Sequence, residues 1–146
     1  MSILRSDEQV DGQEILKSII ETADFYRAMA ELLAEENLYG RLLDLAKERK
    51  AYIKPFQKVV ALLDELPAMP DPEKEQMQQF ASKITKLISS ESKNALLDKC
   101  LHKDEELAEL ISHTTLRKQS LEFKTLLDSL SNNLSGSIQT LLALKD

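Results

Sequence analysis

Apolar residues recur every three or four positions along most of this chain, and no stretch reads as a convincing strand. An α-helix turns about 100° per residue, so such spacing gathers the apolar side chains on one face, which must then be buried. In the first stripe the residues are Ile15, Ile19, Tyr26, Met29, Ala30 and Leu33. Asp11, with Glu14 three positions on, has the shape of a capping box and predicts the helix start. Interrupting charge predicts its end between Ala34 and Asn37. A second stripe, Leu38, Leu42, Leu45, Arg49, Tyr52, Ile53, Phe56, Val60 and Leu63, predicts a helix over about 37–66. Pro55 lies inside it. Without an N–H, and with a ring that meets the carbonyl four residues back, it predicts a kink. Lys50, Lys54 and Lys58 fall on the outer face.

The run Pro67-Ala68-Met69-Pro70-Asp71-Pro72 is the strongest break. Asp71 and Pro72 suit the N-cap and first position of a shorter helix carrying Met77, Phe80, Ile84 and Leu87, with Ser89-Ser90 after it. Leu97, Cys100, Leu101, Leu107, Ala108 and Ile111 make the next face. The last uses Phe123, Leu127, Leu130, Leu134, Ile138 and Leu141, with a turnaround expected over 112–119. Gly136 lies within that last helix. The expected fold is all-α: an antiparallel up-down-up-down four-helix bundle, with a shorter helical segment before the third main helix. It forms one domain over 1–146, with a flexible N-terminus over about 1–10 and a proline-containing connection over about 67–72.

Composition narrows the function classes. Lys and Arg number 19 against 25 Asp and Glu, a formal net charge of -6, which argues against nucleic acid or an anionic membrane as partner. The single cysteine excludes an intrachain disulfide and any multi-cysteine metal site built from one chain. No segment is apolar enough to span a membrane, and the first residues lack the features of a signal peptide, so a cytoplasmic location is expected.

Inward-facing residues decide whether a bundle is an enzyme. A carboxylate-bridged di-metal bundle needs Glu-x-x-His pairs, which set carboxylate and imidazole one turn apart. Lys99 stands three before His102, and Leu110 three before His113. His102, Glu106, Glu109 and His113 share a stripe opposite the apolar one. They read as a solvated face with His/Glu contacts, a metal site being the alternative. Arg49 and Asp104 fall in the middle of apolar faces, where an unpaired charge is expensive. Either they meet inside the bundle, with Tyr26 or Tyr52 as hydrogen-bond partner, or one or both sit at a helix boundary and reach water, a catalytic role being the third alternative. Tyr26, Tyr39 and Tyr52 read as core residues with a polar tip, and Cys100 as a core thiol. Glu14, Glu21, Glu31 and Glu48 read as surface charge, although a bend at Pro55 could turn Glu48 partly inward. Ala51 stands where the histidine paired with Glu48 would be needed. Glycine-rich phosphate loops and the Gly-x-Ser-x-Gly and His-Glu-x-x-His motifs are absent.

Three pieces, Ile19-Ile20-Glu21-Thr22-Ala23-Asp24-Phe25-Tyr26, Leu45-Ala46-Lys47-Glu48-Arg49-Lys50-Ala51-Tyr52-Ile53 and Cys100-Leu101-His102-Lys103-Asp104-Glu105, resemble an uncharacterised four-helix-bundle family related to ferritin and rubrerythrin. The resemblance implies a ferritin-like bundle, which in metal-binding relatives holds a di-iron centre. Carried over residue by residue, Glu21 and Glu48 stand at glutamate ligands. Leu101 replaces a glutamate, and Asp104 is a shortened substitute for its neighbour. Glu122 has Thr125 where a histidine is needed. The metal candidates are therefore Glu21, Glu48, Asp104 and Glu122, with no catalytic or cofactor-binding residue. The expected function is a non-enzymatic helical interaction or regulatory module without a cofactor. It is expected to be a homo-oligomer, by default a dimer, or to bind a protein partner, with Phe25, Leu32 and Leu62 as flanking interface residues. The alternatives are a ferritin-like metal protein with a degenerate di-iron-type site holding iron, manganese or zinc, and a small-molecule or lipid carrier with a cavity near Tyr26 and Tyr52.

Overall fold

The computed structural model describes residues 6–34, 37–70 and 93–145. Among them lie α1 (Asp7–Leu32), α2 (Tyr39–Lys50), α3 (Ile53–Leu62), α4 (Lys93–His113) and α5 (Leu121–Leu144), with a 3₁₀ turn at Leu116–Lys118 and no strand. The helix expected around Met77, Phe80, Ile84 and Leu87, and its Asp71-Pro72 start, lie outside the described residues.

α1 begins earlier than the Asp11 cap predicts. Ser6 is the N-cap: its hydroxyl accepts from the Gln9 amide at 3.1 Å, and the Gln9 side chain accepts from the Ser6 amide at 2.9 Å. This reciprocal box satisfies the exposed amides of the first turn, so Asp7–Val10 are helical rather than a flexible tail. Asp11, now inside the helix, accepts from Thr114 Oγ1 at 2.9 Å and ties α1 to the turn after α4. At the other end Asn37 takes a left-handed φ of 60°, a conformation its short polar side chain tolerates.

The single kinked helix expected over 37–66 is two helices. Ala51 and Tyr52 form a turn between α2 and α3, where the Tyr52 amide donates to Arg49 O at 3.1 Å rather than four residues back. Pro55 then sits at the third position of α3, where its missing N–H costs no hydrogen bond. The break divides the helix but keeps its apolar stripe in phase: Leu38, Leu42, Leu45, Ile53, Phe56 and Val60 are all buried.

α1 and α3 approach closely at Gly12, where an added Cβ would lie 3.2 Å from Leu63 Cδ1. Beside it Gln9 Nε2 donates to Leu63 O and Gln13 Nε2 to Leu66 O, each at 2.7 Å. Gln13 also accepts from the Ala68 amide at 2.8 Å, fixing the first part of the proline-containing connection to α1. Between α4 and α5 the chain turns through Thr114, whose hydroxyl also accepts from the Leu116 amide, to Ser120, which caps α5 by accepting from Phe123 N at 3.1 Å.

Gly136 is different from Gly12: nothing lies within 4 Å of a Cβ built on it. Gly136→Ala should therefore raise stability by about 1 kcal/mol through helix propensity alone, seen as a higher urea midpoint at unchanged m-value.

Two apolar clusters fill the interior. One gathers Tyr26 and Met29 of α1 with its C-cap Leu33, Leu42 and Leu45 of α2, Leu96, Leu97 and Cys100 of α4 and Leu141 of α5. The other gathers Ile15, Leu16 and Ile19, then Phe56 and Val60, then Leu107 and Ile111, then Phe123, Leu127, Leu130 and Leu134. In every helix that contributes to both, the residues joining one cluster to the other include a buried polar one.

Candidate functional site

Those polar residues meet. Thr22 on α1, Arg49 at the end of α2, Asp104 on α4 and Ser137 on α5 are all buried, and Arg49 and Asp104 are only 1% and 0% exposed. Arg49 Nη1 lies 2.9 Å from Asp104 Oδ1, and Nη2 lies 3.3 Å from Oδ2, so the guanidinium grips the carboxylate with both nitrogens. Its other hydrogens are also used. Nε donates to Asn133 Oδ1 at 2.8 Å, Nη1 to Thr22 Oγ1 at 2.9 Å and Nη2 to Ser137 Oγ at 3.1 Å. A guanidinium has five N–H donors, and each finds an acceptor.

The carboxylate is equally engaged. Asp104 Oδ2 accepts from the Tyr26 hydroxyl and lies 2.5 Å from Ser137 Oγ. Thr22 and Ser137 each lie about one turn from a backbone carbonyl, Ile19 O and Leu134 O, both at 3.0 Å. The Tyr26 ring lies with its centroid 5.6 Å from the guanidinium carbon, close enough for cation–π attraction. The charges cancel, and the network is closed within its own members.

Burial, then the neighbouring Asp104 charge, pushes the Tyr26 hydroxyl far above the ordinary phenol range and the Cys100 thiol far above the ordinary thiol range. Both groups are held neutral in the fold but ionise freely when unfolded. Their contribution to stability is complete below the unfolded values, 9.0 for the thiol and 10.0 for the phenol, and is lost as pH rises beyond them. Urea midpoints should accordingly fall from about pH 9 upward, and Cys100→Ala should delay the start of that fall.

The metal candidates are not brought together. Glu21 is on the surface with Lys103 Nζ at 2.6 Å, and Glu122 is on the surface with Lys58 Nζ at 3.7 Å. Glu48 is exposed despite the break near Pro55, because α2 ends before the proline can tilt it. Asp104 alone is interior, and its oxygens are occupied by the network. Among the described residues no group of three His, Cys, Asp or Glu is placed to hold a metal ion. The two histidines are exposed, His102 Nε2 lying 3.0 Å from Glu106 and His113 Nε2 2.7 Å from Glu109, one helical turn away in each case.

Three aromatic expectations need correction. Tyr52 is half-buried, and its hydroxyl donates to Ser129 O at 3.0 Å instead of joining the network, because it sits in the turn between α2 and α3. Tyr39 is 45% exposed at the start of α2, one residue past the buried Leu38. Phe25, expected at an interface flank, is buried under Lys103, whose Nζ lies 5.0 Å from the ring centroid. Thr22, Asn133 and Ser137 are the members that stripe reading overlooks. Thr22 lies four before Tyr26, and Ser137 three after Leu134 and four before Leu141, so both occupy core positions of their stripes.

No family model, no curated protein and no solved structure matches this chain.

Proposed function

We propose that this protein is a non-enzymatic helical interaction or regulatory module of ferritin-like architecture, with an arginine–aspartate pair standing where a metal-binding bundle carries its ligands. The direction of the helices supports the architecture. Asp11 with Thr114, Glu21 with Lys103 and Tyr26 with Asp104 pair α1 with α4 in opposite senses. Thr22 with Arg49 and Gln9 with Leu63 do the same for α1 against α2 and α3. Arg49 with Ser137, Tyr52 with Ser129 and Lys58 with Glu122 do so for α2 and α3 against α5. By this reading α4 runs in the same sense as α2 and α3, so successive main helices do not simply alternate, and the same holds for ferritin-like bundles.

The observation that carries the functional reading is saturation of the network. Every donor of Arg49 and both oxygens of Asp104 are engaged at the level where all sides of the bundle converge. A cation already fills the centre, and among the described residues no free base, nucleophile or ligand set faces it. A bundle so filled acts through its outer surface, and its core sets helix register.

Elemental analysis of untagged protein purified without chelator tests this. Iron, manganese and zinc are expected well below one per chain. Stoichiometric metal that is lost in Asp104→Asn or Glu48→Gln would overturn the reading.

A further inference from the structure

A second feature lies on the outside of the same seam. α2 and α5 part along their outer edge to leave a cleft of about 450 Å³, within the range of small-ligand sites. Arg41, Asp44 and Glu48 line one side and Asn132, Gly136 and Thr140 the other. Each set is spaced at three or four residues and so forms one continuous helix face. The side chains of Arg41, Asp44, Glu48, Asn132 and Thr140 make no hydrogen bond or ion pair among the described residues. Arg41 and Asp44 are one turn apart yet remain unpaired with each other, in contrast to the His/Glu and Lys/Asp pairs at similar spacing on α4 and α5.

Gly136 adds an independent observation. It sits in the interior of α5, where glycine is unfavourable, its φ is not positive, and no neighbour crowds its Cβ position. Neither backbone conformation nor helix packing requires it. What it leaves is open space in the wall of the cleft.

The charges select a ligand class. Two carboxylates beside one guanidinium repel a phosphate, and the guanidinium repels a bare divalent cation. The complement of two anionic groups and one cationic group is a molecule with two cationic nitrogens and one carboxylate. We propose that the cleft binds a free basic amino acid, its carboxylate on Arg41 and its two cationic groups on Asp44 and Glu48, with Asn132 and Thr140 offering neutral hydrogen bonds. Asn133 and Ser137 of the buried network also line the cleft, but the three charged residues that select the ligand lie outside that network.

Isothermal titration calorimetry on the full chain with L-lysine and L-arginine tests it. L-norleucine removes the terminal ammonium of lysine, and 1,5-diaminopentane removes its carboxylate. One of the two amino acids should bind saturably at one site per chain, and each truncated analogue should bind about tenfold more weakly than lysine when lysine is the ligand. Arg41→Gln should erase the preference for lysine over diaminopentane, and Glu48→Gln the preference over norleucine. Gly136→Leu should abolish binding of all of them, with urea unfolding showing that the fold persists. Absence of saturable heat with both amino acids up to about 10 mM would overturn the proposal, as would binding that survives Gly136→Leu and both charge substitutions.

Discussion

Arg49→Met should cost about 3–5 kcal/mol, the largest loss expected from a single polar substitution in this protein. Methionine keeps the apolar stem but stops short of the guanidinium, so packing along the stem changes little. What it loses is the charge that compensates Asp104, which is 0% exposed and has no route to water. A domain of this size has a total stability of about 5–15 kcal/mol, so the variant should unfold at a small fraction of the wild-type urea concentration. Asp104→Leu alone should be similarly damaging, because it strands the guanidinium among Thr22, Asn133 and Ser137. Combining Arg49→Met with Asp104→Leu should recover most of the loss, since apolar replacements of a buried pair are often neutral or better. A double-mutant cycle that gives no coupling between the two positions would show that they do not compensate one another.

Tyr26→Phe should cost about 1.5–3 kcal/mol, the range for a hydrogen bond to a charged group. The ring stays in place among its apolar neighbours while Asp104 Oδ2 loses a donor. Tyr52→Phe removes a hydroxyl that sits at the exposed edge against Ser129, where water can replace it, and should cost less than about 0.5 kcal/mol. The two substitutions delete the same atom from the same residue type, so the difference between their urea midpoints isolates the effect of burial. Equal losses at both positions would contradict the placement of Tyr26 in the closed network.

Much of the helical pattern is written in apolar spacing. The stripes through Ile15 and Ile19, Leu42 and Phe56, Leu97 and Leu107, and Leu127 and Leu134 are the faces that the fold buries. The meeting of Arg49 and Asp104 is legible for the same reason: a charge in the middle of a stripe must find a partner or leave the interior. Termini are less legible, because they depend on competition between local caps. Asp11 and Glu14 offer one box, and Ser6 with Gln9 offers another one turn upstream that lengthens the helix. The break at Ala51 and Tyr52 is hidden because the stripe continues in phase across it, so periodicity registers no interruption. Tyr52 left the network for that reason, while Thr22, Asn133 and Ser137 entered it as small polar residues that look unremarkable until an arginine needs acceptors.

The interlocked pair also bears on how this sequence can change over time. Losing either member leaves the other as a stranded ion, and only the simultaneous exchange of both reaches an oily alternative of comparable stability. Descent through single substitutions therefore meets a valley on both sides, and a lineage that acquires the pair is held to it by the steepness of the exits.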